Sequence, residues 1–350
     1  MSYFFQSGGF DFPNNGRNEL TAFGWKELAR TTLGSAGDNI EVASLADKRY
    51  YMYLVDHRHT GSFSAVSMRM GNGSTDTGAN YAGRYSVLGA ADVGETTQTR
   101  MNCYTELTDV DYNTFHTGYV SNYTSKEKLL IDHGVGLDAT GATTAPYRGQ
   151  SVGKWVNTSN PLNYLTATNL SGGDFNTGSE LVVLGWDPLD ITIADFWEEL
   201  ASVTATGSST NLSSGTFTAK KYLWVQAWHE STSAHVCNMT FNNDTTTYSY
   251  RNSDDGGADA TSTSDAHIEL NQSTSTGVFT NMFIVNVSAN DKLVIGHSVL
   301  QSTAGAGTAP SRREFVGKYD NTAAQITEID LDSSSGNWSN NSIIKVWGSD

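Results

Sequence analysis

The chain has 350 residues, of which 38% are hydrophobic and 11% aromatic, enough apolar matter for two cores of ordinary size. Its net charge of −16 is spread over both halves, a field that repels phosphate backbones and anionic lipid, so neither nucleic acid nor membrane is an expected partner. No run approaches the ~20 apolar residues of a membrane helix, and the opening stretch from Met1 lacks a basic segment followed by an apolar one, so nothing marks a secretory route.

Residues 1–21 form an N-terminal arm carrying Phe4, Phe5, Phe10 and Phe12 among Gly, Asn and Ser, too short to build a core of its own. A phenylalanine left in water is unfavourable by ~1.5–3 kcal/mol relative to burial. The four rings are therefore expected to be buried against a surface, either the chain's own first module or that of a partner, a neighbouring subunit or a larger assembly onto which the arm docks as an anchor.

From Gly24 onward the sequence runs through a series of blocks twice, which divides the rest into a first module over residues 22–190 and a second over 191–350. Trp25-Lys26-Glu27-Leu28-Ala29 matches Trp197-Glu198-Glu199-Leu200-Ala201, and Lys48-Arg49-Tyr50 matches Lys220-Lys221-Tyr222, both at an offset of 172. Tyr81 through Arg84 matches Tyr248 through Arg251 at 167; Lys128 through His133 matches Lys292 through His297 at 164; Gly153-Lys154-Trp155 matches Gly317-Lys318-Tyr319, also at 164. Ser179 through Gly185 closes the first copy and Ser342 through Gly348 the second, at 163. An offset that shrinks in steps while the order holds is what duplication with loop trimming leaves behind. Cys103 and Cys237 stand at unmatched places in the two copies, so no shared disulfide framework exists.

Within each copy the pattern is that of strands. Cys237, Met239 and Phe241 alternate with Asn238 and Thr240, as do Phe283, Val285 and Val287 with Ile284 and Asn286. Clusters such as Gly71-Asn72-Gly73-Ser74 and Asp254-Asp255-Gly256-Gly257 supply the turns. The segments Gly24 to Ala29 and Ala194 to Leu200 read as matched first strands. The expected fold is all-β: two tandem jelly-roll-like β-sandwich domains related by internal duplication, each too long for a seven-stranded immunoglobulin domain.

At these landmarks the sequence resembles a β-sandwich module that recurs, often in tandem, in virion structural proteins of tailed phages, marine phages especially. The likeness is carried by the N-x-tyrosine segment after a Gly/Asn/Asp loop (Met70 to Tyr81, Phe241 to Tyr248), Ser125-Lys126-Glu127-Lys128, the Gly-Lys-aromatic segment, and the strand from Gly178 to Gly185. In the second copy Asn341 stands where Gly178 precedes the last strand, which puts that copy's local turn in question. The resemblance implies a non-enzymatic structural protein of the virion, a capsid decoration or head or tail appendage component. Its partners would be other virion proteins and further copies of itself, and it brings no catalytic residues and no cofactor. A receptor- or glycan-binding adhesin of the same particle is the alternative.

The residues themselves offer few competitors. His133 and His297 fall on one strand face with Leu129 and Ile131, and with Leu293 and Ile295, so they read as packing residues. His57 and His59 form an H-x-H pair that the second copy lacks; a zinc site would need further ligands, and no metal is expected. Asp109 with Asp111, and Asp254 with Asp255 and Asp259, read as solvated acidic loops, and Arg84/Arg251 and Lys154/Lys318 as solvent-facing side chains on packed stems. Trp25/Trp197, Tyr50/Tyr222 and Tyr81/Tyr248 read as core. Trp224 and Trp228, four apart on one strand face, are the candidate glycan contact, with inward packing as the competing explanation. No G-x-S-x-G, H-E-x-x-H, P-loop or Rossmann glycine pattern is present.

Overall fold

In the computed structural model, the described residues are 24–61, 66–105, 112–170, 172–188, 190, 196–303 and 305–350. The arm phenylalanines Phe4, Phe5, Phe10 and Phe12, with Asp109 and Asp111, lie outside them. Every regular element among the described residues is a strand.

The first copy builds an eight-stranded sheet in the order β1 (Lys26–Thr32), β12 (Glu180–Trp186), β3 (Tyr50–His57), β8 (Thr114–Ser121), β9 (Lys128–Gly136), β10 (Tyr147–Trp155), β5 (Tyr81–Val87) and β6 (Val93–Gln98). A four-stranded sheet, β2 (Asn39–Val42), β11 (Tyr164–Asn169), β4 (Val66–Gly71) and β7 (Met101–Cys103), faces it. The second copy repeats this with every strand number raised by twelve: β13 (Glu198–Thr204), β24 (Ile343–Ser349), β15 (Tyr222–His229), β20 (Val278–Val285), β21 (Lys292–Leu300), β22 (Ser311–Tyr319), β17 (Tyr248–Asp254) and β18 (Ala260–Asp265). Its small sheet is β14 (Asn211–Ser213), β23 (Ile329–Ser333), β16 (Cys237–Phe241) and β19 (Ile268–Glu269). The fold is thus two jelly-roll-like sandwiches of one topology. The chain divides into two compact units, and the second includes two short earlier segments, Leu88–Ala90 and Val135–Arg148, besides Glu199–Asp350.

Each core lies between its two sheets. Tyr51, Tyr53 and Val55 of β3 and Leu181 and Val183 of β12 meet Ile40, Met68, Met70 and Leu165 in the first unit. Leu223, Val225, Ile344 and Val346 meet Met239, Phe241, Ile329 and Leu331 in the second. Alternation at period two places these side chains inward, and fully burying each contributes ~1.5–3 kcal/mol.

Buried polar anchors fix the loops in both copies alike. The Tyr81 hydroxyl accepts from the Met70 amide at 3.0 Å and lies within 2.9 Å of the Met70 and Asp76 carbonyls. Tyr248 accepts from the Phe241 amide at 2.7 Å and donates to the Asp244 carbonyl at 3.0 Å. These are the tyrosines of the repeated loop segment. The ammonium of Lys128 donates to the carbonyls of Tyr123, Lys126 and Asn157, and that of Lys292 to Asn290 and Asn321.

Those lysines overturn one expectation. On β9 the inward face carries Lys128, Leu130 and Asp132, while Leu129 and Ile131 face outward and are exposed. A charged residue that finds three carbonyls can point inward, and alternation alone does not say which face is buried. A second correction concerns Asn341. It takes the same left-handed turn, φ 77°, as Gly178 at 87°, because Asn tolerates that region better than other side chains.

Candidate functional site

Three arrangements stand out: a histidine cluster in each unit, a buried ion network in the second, and an outward apolar row on its large sheet.

In the first unit β3 ends at His57, His59 follows two residues later, and β8 contributes His116. His57 packs edge-on to His59 at 4.8 Å between centroids and stacks on His116 at 5.6 Å, with Phe175 closing the group at 5.2 Å from His57. His116 Nδ1 lies 3.0 Å from Asp132, whose other oxygen accepts from the Tyr53 hydroxyl at 2.7 Å. All three rings are buried, and both nitrogens of His57 and of His59 lack a hydrogen-bond partner. Burial, then the neighbouring imidazoles, holds His57 well below its ordinary value and His59 down at about 4. Among the described residues no three His, Cys, Asp or Glu side chains are placed to hold one metal ion.

The second unit fills the same end of its sandwich with His229, which occupies the place of His57, and His235, 3.4 Å apart between ring nitrogens. Trp338 lies edge-on to both, at 5.2 and 5.1 Å. Burial, with His235 adding to it, lowers His229 to about 3. Sequence reading found only the H-x-H pair. His116, Asp132 and His235 come from other strands or loops, and no local spacing announces them.

The second arrangement corrects the reading of Asp259, Arg251 and Lys318 as solvated. Asp259 accepts from Arg148 at 2.5 Å and lies 3.9 Å from Arg251, while Arg148 also reaches Glu314 at 3.1 Å. The side chains of Arg148 and Asp259 are nearly inaccessible. Buried Lys318 donates to the carbonyl of Ala139, and Asp254 pairs with Arg313. In contrast, Arg84 and Asp92 in the first unit form an exposed pair at 3.7 Å.

The third arrangement holds the candidate glycan residues. Trp224 and Trp228 both project from β15 on the face away from the core, so inward packing is not their explanation. Trp224 is half-buried: its indole donates to Asn281 at 2.8 Å and its ring lies against Trp347 and Phe283. Trp228 is 38% exposed and stands directly across from Phe279, itself opposite Val299, and these two are 41% and 43% exposed. A single apolar row thus crosses three adjacent strands of the large sheet.

No protein-family model and no curated protein matches the chain. Among solved structures it is similar to domains LG4-5 of the mouse laminin alpha1 chain, at 13% identity over 94% of this chain and 92% of that one, with a TM-score of 0.20. It is also similar to the LG1-3 region of a laminin alpha2 chain, at 8% identity over 91% of this chain and 64% of that one, with a TM-score of 0.21. Likeness at this depth transfers no function.

Proposed function

We propose that the chain is a non-enzymatic structural protein of a virus particle, a capsid decoration or appendage component that binds other virion subunits through the outer faces of its large sheets. The row of Trp228, Phe279 and Val299 carries this reading, because exposed apolar side chains held in register on an outer sheet face suit a macromolecular partner better than a small substrate. The buried histidines are compatible with it: His57, His59, His116, His229 and His235 lie inside the sandwiches, away from the outer sheet faces. The resemblance of the repeated segments to tailed-phage modules supplies the setting. Labelling purified particles with antibody against this chain is expected to decorate the particle at fixed positions. Particles that contain none of it would refute the reading.

A host-surface adhesin is the second reading, and exposed Trp228 with the nearby amides of Gln226 and Asn281 favours it. A glycan array separates the two: binding that vanishes in Trp228→Ala selects the adhesin, and a blank array the structural role.

A further inference from the structure

Within the second compact unit, the segment Gly141–Arg148 lies across the outer face of β17 and β22. The Ala142 amide donates to Asp320 at 3.0 Å and its carbonyl accepts from the Ser264 amide at 2.7 Å. The carbonyls of Thr144 and Pro146 accept from Ser249 and Arg251, each at 3.0 Å. Arg148 closes the segment on Asp259 and Glu314. Ala142, Ala145, Pro146 and Arg148 are buried there, and so is the sheet face of that unit: Ile295 is 3% and Val316 1% exposed.

The duplication provides a second version of both halves of this contact. Gly305–Arg312, Gly-Ala-Gly-Thr-Ala-Pro-Ser-Arg, matches Gly141–Arg148, Gly-Ala-Thr-Thr-Ala-Pro-Tyr-Arg, at an offset of 164. Both start on a glycine in the left-handed region, φ 83° and 88°. Yet Gly305 through Pro310 and Arg312 are exposed. The receiving face is likewise present, and open, in the first unit: Ile131 and Val152, the counterparts of Ile295 and Val316, are each 49% exposed. Around them Arg84 and Asp92 match Arg251 and Asp259, Lys154 matches Lys318, and Thr97 matches Ser264 even in its positive φ, 56° against 51°. Three positions depart: Ala82 for Ser249, Gln150 for Glu314 and Val156 for Asp320. The first two keep room for the segment, and the amide oxygen of Gln150 is able to accept from an arginine.

We propose that the chain associates head to tail with copies of itself, the Gly305–Arg312 loop of one copy lying on the open face of β5, β6 and β10 of the next, with Arg312 joining Arg84 at Asp92. Loop and face are different surfaces, so the contact is heterologous and propagates into rings or filaments instead of stopping at a symmetric dimer. The inference does not rest on the virion reading, since its test needs only the purified chain.

Sedimentation velocity at physiological salt, over a series reaching about 0.5 mM to capture a modest interface, is the experiment. The wild-type chain is expected to gain mass in whole copies as concentration rises. Arg312→Asp, which spoils the loop, and Val152→Asp, which spoils the face, each return it to a monomer with an unchanged circular dichroism spectrum. Mixed in equal amounts, the two variants form a heterodimer and nothing larger, because one retains the face and the other the loop. A wild-type chain that is monomeric throughout, association that survives both substitutions, or a mixture that stays monomeric would each overturn the proposal.

Discussion

A histidine buried without a hydrogen-bond partner fits the fold only as the neutral ring, because a charged imidazole there would have nothing to solvate it. His57 and His59 meet that description from neighbouring positions; in the second unit His229 leaves only its Nε2 without a partner, its Nδ1 lying against His235. The unfolded chain binds protons at these rings below about 6.5, whereas folded His59 resists protonation down to about 4. The unfolded state therefore holds more protons between those values, and stability falls as pH falls through that window. For His59 alone the loss below pH 4 amounts to about 3 kcal/mol, with none of it present above pH 7. Groups facing the cluster are His116 and Asp132, with the Tyr53 hydroxyl on the far carboxylate oxygen. Urea midpoints measured at neutral pH and near pH 4.5 are expected to show the drop. His59→Leu should lessen it; an equal drop in that variant would mean that other groups cause the acid sensitivity. The H-x-H pair was legible as a pair, but its sealed environment was not, since burial by Phe175 and His116 depends on strand neighbours that spacing cannot supply.

At the scale of elements, the sequence announces strands and turns well where one face is apolar and poorly where both are. Within the matched segments Gly24 to Ala29 and Ala194 to Leu200, strands begin at Lys26 and Glu198, as β1 and β13. On β9 alternation misidentified the buried face, because Leu129 and Ile131 on one side compete with Leu130 on the other and a lysine lies inward among carbonyls, whereas on β21 Leu293 and Ile295 are buried. The tyrosines of the Gly/Asn/Asp loops are more informative: each hydroxyl replaces a strand partner for a buried amide. Tyr81→Phe and Tyr248→Phe would leave the Met70 and Phe241 amides unsatisfied, at about 1–3 kcal/mol each. Chemical denaturation reads this, and a loss below about 0.5 kcal/mol in both would show that the hydroxyls do not hold the loops. At the turn before β24, Asn341→Gly is expected to be neutral or slightly stabilising. Asn341→Val should cost at least about 1–2 kcal/mol through its φ of 77°.

For the whole molecule, the duplication supplies an internal control that single-copy proteins lack. One arginine–aspartate pair occurs twice at matched positions: Arg84 with Asp92, both more than half exposed, and Arg251 with Asp259, where the carboxylate is buried and shared with Arg148. The repeat made the match of Arg84 with Arg251 legible in the sequence. That one pair is solvated and the other enclosed was not, because the enclosing segment, Val135–Arg148, lies far from Asp259 in the chain yet is part of the same compact unit. Exposed pairs are worth at most about 1 kcal/mol, since water and salt screen the attraction that side-chain ordering already offsets. Removing one member of a buried pair costs about 3–5 kcal/mol, because the charge left behind keeps its desolvation without its counter-ion. Asp92→Asn should therefore leave the unfolding free energy of the monomer nearly unchanged, while Asp259→Asn removes the buried carboxylate that Arg148 and Arg251 share and lowers it by several-fold more. Equilibrium denaturation of the two variants, at a concentration dilute enough to exclude self-association, makes the comparison. Equal effects at the two positions would mean that the Asp259 network is solvated in solution as its counterpart is, and that Arg148 does not fasten its segment to the sheet.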